Sequence, residues 1–214
     1  RYSAQNSRQI SAENVVISTA NLLVSQFMDL TCNRGDRIVF FSPVFPTYLA
    51  AGLHVGLDIV DIPLRAENGF DLTREEVNRA IASKPKAIIV NSANNPTGRV
   101  YSSEILEYLA SLCHANKIWL LSDETYGEIA YRKPFYSLSV LNHPQLIVLS
   151  SFSKIFSIPG FRVGFAISES KAVIEKLGLS NSTLVSCLPI FTQMGCLAGM
   201  KVMDDYLKKI KSHY

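Results

Sequence analysis

The sequence predicts an α/β protein, a mostly parallel β-sheet covered by helices, and two observations carry this. Short β-branched runs alternate with helical stretches along the whole chain, which is how parallel strands joined by crossover helices are written. A chain of 214 residues at 48% apolar composition is also long enough to build one large core. With no repeat, low-complexity tract or linker, residues 1–214 are expected to form one domain.

The elements follow in order. Val15 to Ser18 opens as a strand, with a helix over Asn21 to Asp29. Arg37 to Phe41 and Asp58 to Ile62 are strands on either side of a helix at Thr47 to Ala51. The next helix, Thr73 to Ser83, starts at Asp71-Leu72-Thr73-Arg74-Glu75-Glu76, a hydroxyl cap with an acidic first turn. A strand over Ala87 to Asn91 precedes a helix over Ser103 to Asn116, opened by Tyr101-Ser102-Ser103-Glu104. Strands at Ile118 to Ser122, Leu146 to Ser150 and Val163 to Ile167 come next. The chain closes with a helix at Lys171 to Leu177 and one long helix from about Cys187.

Composition excludes several functions. A net charge of +3 without a basic block makes nucleic acid and membrane surfaces poor partners. No apolar run reaches the ~18 residues of a membrane span, and no signal segment is visible, so a soluble, cytoplasmic protein is expected. Cys32, Cys113, Cys187 and Cys196 lack C-x-x-C spacing and sit in apolar or helical contexts, which favours buried free thiols. His54, His114, His143 and His213 are isolated from one another and from acidic clusters, so no metal site is expected.

The most informative stretch is Ser151-Phe152-Ser153-Lys154, followed by a Pro159-Gly160 break and Arg162. An amine with small hydroxyl neighbours and a guanidinium close by is what holding a phosphorylated aldehyde covalently requires. Upstream lie Asn94-Asn95-Pro96-Thr97-Gly98 and Ser122-Asp123-Glu124-Thr125-Tyr126-Gly127, each after an apolar strand-like run. Asp123 ends its strand, where open α/β sheets place ligands, so its carboxylate is a candidate partner for a cationic group of whatever is bound there. Its local alternative is an N-cap of the following turn. Ser18-Thr19-Ala20 lies between strand and helix, so N–H groups at the helix start can face an anion. Ser151, Ser153 and Arg162 supply hydroxyls and a bidentate guanidinium for the same phosphate.

With these motifs in this order, from Glu13 to about Tyr206, the sequence resembles the class I/II (fold type I) pyridoxal-phosphate-dependent aminotransferases. The resemblance implies a three-layer α/β/α sandwich, pyridoxal 5'-phosphate as cofactor, and Lys154 as its Schiff-base lysine and the base that moves the substrate's α proton. It implies that Asn95 and Tyr126 reach the ring's phenolic oxygen and that the aromatic ring of Phe45 lies against the cofactor's face. Core packing is the rival role for Phe45, and Tyr48 is the other candidate for part of its role. Many relatives carry glycine where Thr19 or Ala20 stands. The implied reaction moves an amino group between an amino acid and a 2-oxo acid. Two alternatives stay open: a lyase or synthase on the same fold, and a non-catalytic sensor domain of a transcription regulator. The resemblance also implies a homodimer, and an amino-terminal segment and a smaller carboxy-terminal domain beyond this chain, without which the piece itself is expected to be inactive.

Overall fold

The computed structural model describes residues 10–213. Seven strands form one sheet: β1 (Val15–Ser18), β2 (Arg37–Ser42), β3 (Asp58–Pro63), β4 (Ala87–Asn91), β5 (Trp119–Asp123), β6 (Leu146–Ser151) and β7 (Gly164–Ser168), in the spatial order β1-β7-β6-β5-β4-β2-β3. From β3 through β2, β4 and β5 to β6 every pairing is parallel, and β7 is antiparallel to both β6 and β1. Six of the seven therefore run the same way and β7 alone is reversed. The order changes direction between β2 and β4, where open α/β sheets form their ligand crevice.

Alternation along β2 shows how the layers arise. Val39 and Phe41 face one buried cluster, Ile38 and Phe40 the other. The first cluster receives α3 (Arg74–Ala82) and α4 (Ser103–Ala115) through Val77, Ala80, Leu106 and Leu109. The second receives α1 (Ala20–Thr31), α2 (Pro46–Val55) and α6 (Lys171–Leu184) through Leu23, Phe27, Tyr48 and Leu177. Between them β4 and β6 are buried at every residue, which explains their unbroken apolar runs. The result is a three-layer α/β/α sandwich. Both caps foreseen for α3 and α4 form: Thr73 and Glu76 make a reciprocal capping box, and Ser102 accepts from the Ile105 N–H.

Three helices depart from expectation. α2 runs on to Val55, where Gly56 at φ 78° closes it in the left-handed conformation that glycine adopts freely. α6 continues past Leu177 and Gly178 to Leu184 because its later turns are anchored: Asn181 donates to Ile17 O and Ser180 accepts from Gln26. The long last helix is two, α7 (Ile190–Met200) and α8 (Met203–Lys211). Lys201 and Val202 bond three residues back, to Ala198 and Gly199, which tightens the chain into a turn and lets Met203 and Leu207 bury against Ile155. A short helix not foreseen, α5 (Phe152–Ile155), carries Lys154. Cys32, Cys113 and Cys196 are buried free thiols, whereas Cys187 is exposed. No helix among the described residues is long and apolar enough to cross a membrane.

Candidate active site

Co-directional strands put Asn91, Asp123 and Ser151, the last residues of β4, β5 and β6, on one rim. Reversed β7 begins on that rim, so Arg162 arrives there just before the strand starts. A cavity of about 280 Å³ lies at this rim, lined among others by Phe45, Asn95, Asp123, Tyr126, Lys154 and Arg162. Ala20, Ser151 and Ser153 line it as well.

Asp123 is buried at the cavity floor. Its Oδ2 accepts from Tyr48 Oη at 2.5 Å and its Oδ1 from the Thr125 N–H at 3.0 Å. Burial pushes its pKa up, while the hydrogen bonds from Tyr48 and Thr125 pull the other way. Asn91 ties the neighbouring pieces together: its amide donates to the Asp123 carbonyl at 2.9 Å and its Oδ1 accepts from the Asn95 N–H at 2.7 Å. Asn95 is thereby held at the end of β4, one residue before a cis proline.

Lys154 sits half-buried in the last turn of α5, with Nζ 5.6 Å from the centroid of the Tyr126 ring, within cation–π range. Ser151 caps this helix by accepting from the Ser153 N–H at 3.2 Å, and its hydroxyl donates to Val163 O. Arg162 adopts φ 55°, a left-handed conformation uncommon for a side chain of this size. Its Nη1 donates to Pro159 O at 3.0 Å, and among the described residues no carboxylate pairs with it. A cation held in a sparsely populated backbone region beside a cavity is placed for an anion.

Residues 18–20, expected to face an anion, differ from expectation in detail. α1 begins at Ala20, and Ala20, Asn21 and Val24 line the cavity. Ser18 and Thr19 are not in its lining: Ser18 is fully buried and donates to Asn181 at 2.6 Å, and Thr19 makes no side-chain cap. What faces the cavity is the helix start, whose first-turn N–H groups have no intrahelical acceptor. Gly164 permits this approach, since a Cβ there would sit 2.9 Å from Ser150 O and 3.1 Å from the Ala20 N.

Phe45 is the N-cap of α2, with Pro46 at the first turn, and its ring meets Tyr48 edge-on at 5.8 Å. Both residues line the cavity, and the Tyr48 hydroxyl reaches Asp123. Sequence reasoning did not give Tyr48, Asn91 or Thr125 these contacts. The available signals were the i, i+3 spacing of Phe45 and Tyr48, and an asparagine ending the apolar run Ala87-Ile88-Ile89-Val90.

Glu124, next to Asp123, points the other way. It is buried, and its Oε1 accepts from Ser122 Oγ and the Leu138 N–H. Burial raises its pKa to about 8. A carboxyl whose folded pKa lies above its unfolded value contributes stability that is complete below the ordinary value of 4.5 and is lost as pH rises through about 8. Glu124→Gln, which is neutral throughout, is therefore expected to flatten the loss of stability between those limits. Urea denaturation at a series of pH values measures it.

A second hollow of about 380 Å³ shares Asn95 and Tyr126 with the first and continues along the 93–98 loop to Arg132. Among the described residues no cluster of three or more His, Cys, Asp or Glu side chains is placed to hold a metal.

Comparison with known proteins gives one consistent answer. A probable aspartate/prephenate aminotransferase of Aquifex aeolicus is 33% identical over 213 residues, covering 95% of this chain and 53% of that protein. An aspartate aminotransferase of Thermotoga maritima is 30% identical over 204 residues, covering 94% and 54%. The structure of Thermus thermophilus aspartate aminotransferase with maleate superposes with a TM-score of 0.92 at 25% identity, over 99% of this chain and 56% of that one. The chain thus spans about half the length of the curated relatives it matches. The family model for aminotransferase class I and II matches residues 2–213, and the chain belongs to that family.

Proposed function

We propose that this chain binds pyridoxal 5'-phosphate in the rim cavity and forms the cofactor domain of an aminotransferase acting between an amino acid and a 2-oxo acid. The observation that supports it most is the meeting of Lys154, Asp123 and Arg162, from three separate stretches of chain, on one cavity. The donor set fits the cofactor at each end. A cation and a helix start face one wall for the phosphate, a buried carboxylate lies on the floor for the ring nitrogen, and Asn95 and Tyr126 stand beside the amine for the phenolic oxygen. A volume of about 280 Å³ is close to the lower end for small-ligand sites.

Bound there, pyridoxal phosphate supplies an electron sink for breaking bonds at the substrate's α carbon. The chain's residues do the rest. Lys154 would hold the cofactor through its amine and would be the base placed for the substrate's α proton. Asp123 keeps a positive charge on the ring nitrogen. Phe45 would lie against the ring's face, and Arg162 would anchor the phosphate. The second hollow, reached past Asn95 and Tyr126, is the space we assign to substrate.

A homodimer in the cytoplasm accords with this reading, and the exposed apolar row Ile190, Phe191, Met194 and Leu197 on α7 is surface that the rest of a full-length protein or a second copy would cover. The names of the relatives make aspartate the first donor to test. Incubating the full-length protein with pyridoxal phosphate, aspartate and a 2-oxo acid is expected to yield the corresponding new amino acid without free ammonia. Release of ammonia instead would assign a lyase, and absence of both cofactor uptake and turnover would overturn the proposal.

A further inference from the structure

We infer that Tyr48 is a positioning residue for the buried carboxylate of Asp123, setting on which side of the contact the proton between Asp123 and a ring nitrogen resides. This deepens the cofactor reading and rests on it. The geometry is specific: Tyr48 Oη lies 2.5 Å from Asp123 Oδ2, both side chains are buried, and 75 residues separate them along the chain. Tyr48 is delivered by the same turn as Phe45, three residues earlier, so one helix start carries both the ring-facing aromatic and the carboxylate's donor.

A hydrogen bond stabilises the charged form of its acceptor more than the neutral form. With the Thr125 N–H on Oδ1 and the Tyr48 hydroxyl on Oδ2, each carboxyl oxygen of Asp123 receives a donor that lowers its proton affinity, against the burial that raises it. Two arrangements compete once a pyridine nitrogen lies beside it: carboxylate with pyridinium, or carboxylic acid with neutral pyridine. The same single proton is shared in both, and no other bond changes. Tyr48 favours the first. It remains a neutral donor, since burial and then the Asp123 charge push its own ionisation well above the ordinary range.

The test uses the full chain, wild type and Tyr48→Phe. In the ligand-free protein, carbon NMR of labelled Asp123 is expected to show its proton affinity rising by roughly 10- to 100-fold in the variant, the scale of a hydrogen bond to a charged group. With ¹⁵N-labelled pyridoxal phosphate bound, the ring nitrogen signal is expected to move from the protonated towards the unprotonated position. Replacing Tyr48 by 3-fluorotyrosine, a stronger donor of nearly the same shape, should move both signals the opposite way, and it answers the question if the phenylalanine variant folds poorly. A ring signal and an Asp123 titration unchanged in these variants would overturn the inference. A wild-type chain that takes up no pyridoxal phosphate would overturn the cofactor reading instead, and the ligand-free titration would still decide the role of Tyr48.

Discussion

Lys154→Ala is expected to abolish the visible absorption band formed on adding pyridoxal phosphate and to remove amino-group transfer in the full-length protein. Loss of a positioned proton-transfer group alone lowers turnover by roughly 10²–10⁴-fold, and loss of covalent attachment adds to this. The fold should be almost indifferent. Lys154 is half-buried and among the described residues has no ion-pair partner, so its removal belongs with substitutions that change stability by about 0.5 kcal/mol or less. A band that survives the substitution, read by absorbance against wild type, would remove Lys154 from the chemistry.

Asp123→Asn should separate function from stability in opposite directions. The shape is kept but the charge facing the ring nitrogen is lost, and breaking one side of a buried charge pair costs about 3–5 kcal/mol, which is roughly 10²–10⁴-fold in turnover when all of it falls on the barrier. In the ligand-free chain the sign reverses. Burial raises the folded pKa of Asp123, so its contribution to stability is complete below the unfolded pKa and is lost as pH rises through the folded value. At neutral pH the neutral amide therefore avoids a cost that the carboxylate bears. The thermal midpoint of the ligand-free variant is expected to equal or exceed that of wild type while activity collapses. A lower midpoint with activity retained would remove Asp123 from the site.

What the sequence made legible was whatever is written locally. Seven strands fall within a residue or two of expectation because each is a compact apolar run, and the caps of α3 and α4 are spelled by Thr73 and Ser102 within three residues of the groups they bond. The rim cavity gathers Asp123, Asn95, Tyr126, Lys154 and Arg162, because strand ends on one edge of a parallel sheet leave little freedom over where the following residues go. The rest depends on distant partners. Ser18 turns to Asn181, which stands 163 residues away, and neither residue's local context announces the other. Tyr48, on α2, reads locally as a second aromatic for the cavity wall, and its hydroxyl is claimed by the carboxylate at the end of β5. The division of the last helix at Lys201 follows from how Met203 and Leu207 bury against Ile155, a tertiary contact that periodicity cannot carry.

The reversal of β7 has a mechanical corollary. Strand pairing joins Ser151 to Gly164, and Phe152 N donates to Val163 O, so residues 152–163 form a closed arch bearing the amine near one foot and the guanidinium at the other. Such an arch has a fixed span. Adding even one residue to it displaces Lys154 relative to Arg162, whereas length added at exposed 131–134, outside the arch, leaves that spacing alone. Natural variation in chain length should accordingly collect in the outer bend and spare the arch.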